Sequence, residues 1–265
     1  MTAPKKRYGQ HFLVDPSCAA RIVRSAAVVP GEKVLEVGPG RGILTQSLLA
    51  AGAQLRAVEI DKDLLGPLRQ RFPDLDLIEG DATTLDWSVV CPGSGWQVVA
   101  NLPYNVATPL VVGWVSQPET FSRLTVMLQH EVAERLVAKV GDEAWGRLSI
   151  AIAIRAQVTW VMSLPPGAFK PPPKVRSAVV RIEPRPAPDF GPAGEAAFEK
   201  VVQVAFGQRR KTLRNALMAS FPASVVDEAL SSIVLDGTRR AETLEIDIFR
   251  HLAAALRRGL EDRPL

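Results

Sequence analysis

The sequence predicts an α/β protein with a mostly parallel sheet, followed by a small C-terminal all-helical domain. Short valine-rich runs alternate with stretches of helical periodicity up to about residue 140. Strands that alternate with helices form parallel sheets covered on both faces. Prolines then concentrate near Pro165 and in a linker-like stretch at 183–194, and the pattern beyond is helical. We therefore predict two domains, 1–188 and 189–265.

The elements of the first domain can be predicted in chain order. Asp15 and Pro16 indicate a helix start, because a capping side chain precedes a proline in the first turn. Strands are predicted at 33–38, 53–61, 75–82, 96–104, 123–129 and 177–182. Helices are predicted at 42–52, 62–72, 108–117 and 130–140, and Gly66-Pro67 is expected to interrupt the second of them. The second domain is predicted to hold helices at 195–218, 223–233 and 245–258.

Composition excludes several function classes. No apolar run reaches the roughly 18 residues of a membrane span, and the basic N-terminus lacks the apolar core of a signal peptide. The two cysteines, Cys18 and Cys91, show neither a disulfide framework nor zinc-site spacing. We therefore expect a cytoplasmic protein with no metal and no membrane partner.

Positive charge is concentrated in two places. The net charge is +4, and two acid-free clusters are of a kind that suits phosphate binding, although either could be a solvated face. The candidate RNA-binding residues are Lys5, Lys6, Arg7, Arg209, Arg210, Lys211 and Arg214.

A glycine loop lies between the first predicted strand and the next helix. Gly38, Gly40 and Gly42 have the spacing G-x-G-x-G, which lets the backbone approach a ligand at a helix N-terminus. The dinucleotide fingerprint needs a glycine at position 43, where this chain has Ile43. The loop therefore disfavours NAD.

Two acids follow at the ends of the next strands. Glu59 ends the second strand, where an acid can accept hydrogen bonds from ribose hydroxyls, and Asp81 ends the third. A carboxylate at Asp81 can accept from an adenine amine. Each acid alone could be a surface or capping residue, but together with the glycines they indicate a nucleoside-bearing cofactor. This arrangement resembles the Rossmann-like fold of S-adenosylmethionine (SAM) methyltransferases.

The fourth strand ends in Asn101-Leu102-Pro103-Tyr104. Pro103 biases Leu102 toward an extended conformation, which fixes the direction of its carbonyl. The Asn101 amide oxygen is a second acceptor, and Tyr104 offers a flat face. Two acceptors and a face can hold the exocyclic amine of an aromatic base, although the tetrapeptide alone could be a tight turn.

These motifs resemble those of the KsgA family of ribosomal RNA adenine dimethyltransferases, in family order and over nearly the full length. They are KKRYGQHFLVD, LEVGPGRGILT, VEID, GDA, NLPYN, MLQHEVAERLVA, FKPPPKVRSAVV, AFGQRRKTLRN and RAETL. The resemblance implies SAM-dependent N6,N6-dimethylation of two adjacent adenosines in a hairpin loop near the 3′ end of 16S rRNA. It also implies a small ribosomal subunit or its assembly intermediate as the partner. We expect the protein to be a monomer.

The resemblance also implies roles for individual residues. It implies that the target adenine stacks on Tyr104, that Phe169 packs on the other side of the base, and that Leu102 and Pro103 belong to the catalytic segment with Asn101. His11 stands where the family commonly has asparagine. The implied cofactor contacts are His11, Leu13, Gly38, Gly40, Glu59, Asp81 and Asn101.

Three other functions stay open at this stage. The first is an Erm-type methyltransferase that modifies one adenosine of large-subunit rRNA. The second is a ribosome-assembly or RNA-binding factor without catalysis, against which the intact glycine loop and Asn101 argue. The third is a DNA adenine methyltransferase, which would normally carry a larger recognition domain than this tail.

Overall fold

The protein forms two compact units in a computed structural model that describes residues 5, 9–186, 188–208 and 210–261. The first unit comprises Met1–Ala133 with Ala156–Pro186, and the second comprises Glu134–Arg155 with Ala187–Leu265. The sequence-based division assigned 134–155 to the first domain, whereas this segment packs in the second. The reason is burial, because Trp145 and Ile150 share one apolar core with Phe198 and Phe249.

The first unit contains every strand of the described chain. The strands are β1 (Phe12–Leu13), β2 (Lys33–Val37), β3 (Gln54–Glu59), β4 (Asp76–Glu79), β5 (Trp96–Asn101), β6 (Phe121–Gln129), β7 (Ala156–Leu164), β8 (Phe169–Lys170) and β9 (Ser177–Pro184). Its helices are α1 (Pro16–Ala26), α2 (Ile43–Ala50), α3 (Lys62–Arg71), α4 (Trp87–Val90) and α5 (Ala107–Val115), and α6 (His130–Val137) runs on into the second unit.

Seven of these strands form one sheet in the order β4-β3-β2-β5-β6-β9-β7. Strands β2 to β6 pair in parallel, whereas β9 pairs antiparallel with both β6 and β7. The predicted mostly parallel sheet is therefore confirmed. The chain order reverses between β2 and β5, and in open α/β sheets the crevice at such a reversal is where ligands bind. Separately, β1 pairs with β8, so that Leu13 lies opposite Phe169.

Two helices show where local sequence determines the fold and where packing overrides it. The Asp15 side chain accepts hydrogen bonds from the backbone N–H groups of Ser17 and Cys18, as its capping position predicts. The predicted interruption of α3 is wrong, because the helix continues through Pro67. Three leucines of α3 are buried in the sheet unit, and their burial outweighs the cost of the one backbone hydrogen bond that Pro67 cannot make.

The second unit is built from helices. They are α7 (Arg147–Ala153), α8 (Gly194–Ala205), α9 (Leu213–Leu217), α10 (Ala223–Ser232) and α11 (Ile246–Glu261). The single helix predicted at 195–218 is wrong, since α8 ends at Ala205 and Thr212 caps α9 with its side chain. The described residues between α8 and α9, 206–208 and 210–212, thus form a loop, and they include Arg210 and Lys211 of the second basic cluster.

Candidate active site

A cavity of about 280 Å³ lies at the carboxyl ends of the parallel strands. Five segments of the described chain line it. They are residues 9–12, the glycine loop, and the residues at or just after the ends of β3, β4 and β5. Gly38, Gly40, Glu59, Asp81 and Asn101 all face this cavity. The volume is close to the roughly 300 Å³ at the lower end of small-ligand sites. The structure therefore brings most of the predicted site residues into one place.

Backbone geometry explains the glycines of the loop. Gly38, Gly40 and Gly42 have φ values of +70°, +59° and +77°, which side chains rarely permit. A Cβ atom at Gly40 would lie 2.9 Å from the Phe12 ring, and one at Gly42 would lie 2.5 Å from the Phe72 ring. The loop can adopt this shape only because glycine occupies these positions.

Glu59 holds the glycine loop as well as facing the cavity. One carboxylate oxygen accepts from the Gly40 N–H at 3.1 Å, and the other accepts from the Asp61 N–H at 2.9 Å. Burial raises the pKa of Glu59, while these hydrogen bonds act in the opposite direction. Each oxygen keeps a lone pair that can accept from a ligand hydroxyl.

Asp81 closes a short turn after β4. Its Oδ1 accepts from the Thr83 N–H at 2.9 Å and from the Thr83 hydroxyl at 2.7 Å. The turn fixes the orientation of the carboxyl group and employs only one of its oxygens. Because Asp81 lines the cavity, the other oxygen can accept from an amine inside it.

The Asn101 amide is held by the backbone of His11. Its Nδ2 donates to the backbone carbonyl of His11 at 3.1 Å. Because a carbonyl can only accept, the amide nitrogen must face His11, and this orients Oδ1 as the acceptor that is left. No described residue donates a hydrogen bond to the Leu102 carbonyl. The end of β5 and the residue after it therefore carry two acceptors, and their role toward an amine stays a prediction.

Tyr104 and His11 both line this cavity, and their rings pack against each other. The two rings stack with centroids 5.6 Å apart and an interplanar angle of 27°. The Tyr104 hydroxyl lies 2.8 Å from Ser177 Oγ, and burial raises the pKa of Tyr104. The His11 ring Nδ1 lies 2.9 Å from the Pro171 carbonyl and so carries a proton toward it.

Two predicted site residues do not line this cavity. Leu13 and Phe169 are both only 3% exposed and belong to the apolar core of the first unit. Leu13 borders a much smaller adjoining cavity with Gly38 and Asn101. Phe169 does not face Tyr104 across the cavity, since β1–β8 pairing turns its side chain into the core. The ring that lies opposite Tyr104 here is His11.

The first basic cluster has intramolecular partners where it is described. Lys5 Nζ lies 2.5 Å from both Asp61 Oδ1 and Asp63 Oδ2. Lys6 and Arg7 lie outside the described residues.

The second basic cluster contains one arginine with an intramolecular partner and two exposed cations. Arg214 makes two hydrogen bonds to Asp227, at 2.6 and 2.8 Å. Arg210 and Lys211 are exposed, and neither has a salt bridge to a described residue. Arg209 lies outside the described residues.

Sequence reasoning missed two buried acids beside the cavity. Asp61 is fully buried and accepts from Lys5, Gln10 and the Asp63 N–H. Glu36 is 1% exposed, and its Oε2 accepts from the Thr45 hydroxyl at 2.6 Å. Burial raises the pKa of Glu36 to about 8. An acid inside the apolar run VLEV was the available signal for Glu36, and VEID was the signal for Asp61.

Two other kinds of feature are absent from the part of the chain that the structure describes. No group of three or more His, Cys, Asp or Glu residues there could hold a metal ion. No helix there is both long and apolar enough to cross a membrane.

Comparisons with known proteins agree with this geometry. Residues 1–256 match the family described as ribosomal RNA adenine dimethylase. The chain is 42% identical to ribosomal RNA small subunit methyltransferase A of Pseudomonas fluorescens, covering 95% of this chain and 93% of the relative. It is 44% identical to the protein of the same name from Phenylobacterium zucineum, with 95% and 87% covered.

Two solved structures are similar over almost the whole chain. A dimethyladenosine transferase from Plasmodium falciparum has a TM-score of 0.78 at 26% identity, covering 94% of this chain and 98% of that one. The 23S rRNA methyltransferase ErmE has a TM-score of 0.68 at 28% identity, covering 93% and 99%.

Proposed function

This chain belongs to the ribosomal RNA adenine dimethylase family, and we propose that its cavity binds SAM beside a target adenine of 16S rRNA. The protein is a SAM-dependent adenine dimethyltransferase of small-subunit rRNA. We further propose that the substrate is a pair of adjacent adenosines in a hairpin loop near the 3′ end. The observation that carries the proposal is the Asn101 amide, which His11 orients so that Oδ1 remains available as an acceptor.

The residues around the cavity fit SAM by the chemistry of their donors and acceptors. Glu59 would accept from the ribose hydroxyls, and Asp81 would accept from the adenine amine. The backbone at Gly38 and Gly40 leaves room for close approach, since their positive φ values exclude side chains. His11 would border the cofactor's polar end in place of the family's asparagine. When bound, SAM supplies an electrophilic sulfonium methyl group.

Asn101 and Leu102 would prepare the target amine for methyl transfer. The adenine amine is a poor nucleophile, because its lone pair is delocalised into the ring. Two acceptors, Asn101 Oδ1 and the Leu102 carbonyl, would hold its two hydrogens and favour a pyramidal nitrogen. No strong general base is needed, since the alkylated nitrogen becomes acidic and loses its proton afterwards. Positioning and electrostatics would therefore supply the rate.

A second methyl transfer to the same nitrogen is compatible with this arrangement. A monomethylated amine keeps one hydrogen for one of the two acceptors. Tyr104 would hold the base by stacking on the ring face that His11 does not cover, worth about 1–3 kcal/mol.

A loop substrate follows from the cost of exposing a base. Sequence-specific RNA recognition favours loops with splayed bases, and extruding a loop base costs less than opening a duplex. Exposed cations such as Arg210 and Lys211 would contact surrounding phosphates, which position the RNA without specifying its sequence. We therefore propose that an assembled or partly assembled small subunit is preferred over naked RNA.

The test uses radiolabelled SAM with purified small and large subunits from a strain lacking this activity. We expect label only in small-subunit RNA, with primer extension stopping at two adjacent adenosines. Label confined to large-subunit RNA would overturn the substrate. In parallel, calorimetry should show that Glu59→Ala and Asp81→Ala weaken SAM binding, and unchanged affinity in both would overturn the assigned cofactor contacts.

A further inference from the structure

The N-terminal arm, defined here as Lys5 with residues 9–13, forms one wall of the cavity. Residues 9–12 line it directly. The arm is held from the far side by β1–β8 pairing at Phe12 and Leu13. Its outer end, at Lys5 and Gln10, is held by the buried Asp61, and Lys5 also forms an ion pair with the exposed Asp63.

Asp61 makes more contacts than helix capping needs. Its Oδ1 accepts from the Asp63 N–H, which caps α3. The same oxygen lies 2.5 Å from Lys5 Nζ, and Oδ2 accepts from Gln10 Nε2 at 2.9 Å. By contrast, the capping acid Asp86 of α4 accepts hydrogen bonds from its near neighbours in the chain, Ser88 and Val89, and is exposed. The bonds to the arm are therefore additional to capping.

Burial makes these additional contacts matter. The Asp61 side chain is 1% exposed, whereas that of Lys5 is 26% exposed. Burial would raise the pKa of Asp61, but hydrogen bonds from Lys5 and Gln10 outweigh this effect and hold the pKa below its ordinary value. A buried carboxylate without these partners would carry a large desolvation penalty. The arm's outer end and Asp61 thus depend on each other.

Asp61 is also connected to the cofactor side of the cavity. Its backbone N–H donates to Glu59 Oε1 at 2.9 Å, and the other oxygen of Glu59 holds the Gly40 N–H. Asp61 therefore links Lys5 to the carboxylate that faces the cavity, through its side chain on one side and its backbone N–H on the other.

We propose that Asp61 is a positioning residue which, with Lys5 and Gln10, forms a latch that closes the arm over the bound cofactor. The proposal rests on the proposed function only in that the cavity is taken as the SAM site. While the latch is closed, the arm covers the cavity and slows cofactor exchange. When Lys5 leaves Asp61, the outer end of the arm opens and S-adenosylhomocysteine can depart.

The test compares Lys5→Met and Asp61→Asn with a matched control, Lys62→Met. Lys62 also forms an ion pair beside the start of α3, but it is 79% exposed and its partner, Glu79 at 3.0 Å, lies outside the arm. Dissociation of radiolabelled SAM is measured by chase with unlabelled SAM, without RNA. Hydrogen exchange of the amides at 9–13 reports the arm itself.

We expect Lys5→Met to speed SAM dissociation by roughly five- to tenfold, as the loss of the Lys5 ion pairs with Asp61 and Asp63 implies. Exchange at 9–13 should rise, and the KM for SAM should increase. Raising salt from about 50 to 500 mM should speed dissociation from the unaltered protein but not from Lys5→Met. Lys62→Met should match the unaltered protein.

Two results would overturn the latch. They are an unchanged dissociation rate in both Lys5→Met and Asp61→Asn, or an equal effect of Lys62→Met. Lys5→Met leaves the Asp61 cap of α3 intact, so a folding defect confined to Asp61→Asn does not decide the outcome. Failure of the unaltered protein to bind SAM at all would instead refute the proposed function.

Discussion

Replacing Asn101 with alanine removes the amide that connects the arm to the target-amine position. Its nitrogen donates to the His11 carbonyl at 3.1 Å, and its oxygen is one of the two acceptors proposed for the adenine amine. The substitution leaves the Leu102 carbonyl and the Glu59 carboxylate in place. We therefore expect a large effect on methyl transfer and a small one on SAM affinity.

The magnitude follows from the contacts that are lost. Removing one preorganised group at a reacting atom typically costs about 2.7–4 kcal/mol, or roughly 10²–10³ in kcat. The His11 carbonyl also loses its donor, which costs about 1 kcal/mol of stability at this half-buried site. The fall in methyl transfer should thus far exceed any fall in the amount of folded protein at 25 °C.

Single-turnover methyl transfer to purified small subunits at saturating SAM measures the first effect. Calorimetric SAM binding and thermal melting measure the other two. Gln157→Ala is the control, because it truncates an exposed amide on β7 away from the cavity. A rate for Asn101→Ala within about fivefold of that of the control would refute the assigned role of the amide.

Three further predictions concern stability and RNA binding. Val234 is 93% exposed at φ +53°, so Val234→Gly should relieve backbone strain and stabilise the fold by about 1 kcal/mol; a lower melting temperature would contradict this. The pKa of Glu36 is raised to about 8, so its protonated form favours folding at low pH and this stability is lost as pH rises from about 4.5 to 8. Glu36→Gln should therefore gain in melting temperature relative to the unaltered protein across that range, and a constant difference would count against it. Arg210→Gln should reduce the salt slope of rRNA binding by about 0.7–0.9, the value for one phosphate contact. Arg214→Gln, which breaks the ion pair with Asp227, should leave the slope unchanged. Equal slopes for Arg210→Gln and the unaltered protein would show that Arg210 is a solvated surface residue without an RNA contact.

Much of the site was predictable because parallel topology converts chain order into proximity. Gly38, Glu59, Asp81 and Asn101 each follow or end a strand of one sheet, and the carboxyl ends of parallel strands meet at the same edge. The alternation of strand and helix patterns therefore predicted both the fold class and the place where these residues converge. The left-handed conformation at Gly38 is likewise a local property of the glycine loop.

Contacts between distant segments could not be predicted in this way. Asn101 and His11 are 90 residues apart, and Asp61 and Lys5 are 56 apart. Nothing in the sequence around either partner specifies such a pair. Both pairs depend on the β1–β8 pairing, which fixes the position of the arm. That pairing joins strands more than 150 residues apart in the sequence.

The sequence by itself thus determined the fold class, the glycine loop and the acids that follow the parallel strands, since each depends on periodicity or backbone preference within a short segment. Only the tertiary structure decided that Phe169 packs in the core and that Lys5 forms an ion pair with Asp61. It also placed Glu134–Arg155 in the helical unit. The physical reason is that burial and ion pairing each need residues from distant segments. The local sequence does not distinguish between the possible partners, and packing selects among them.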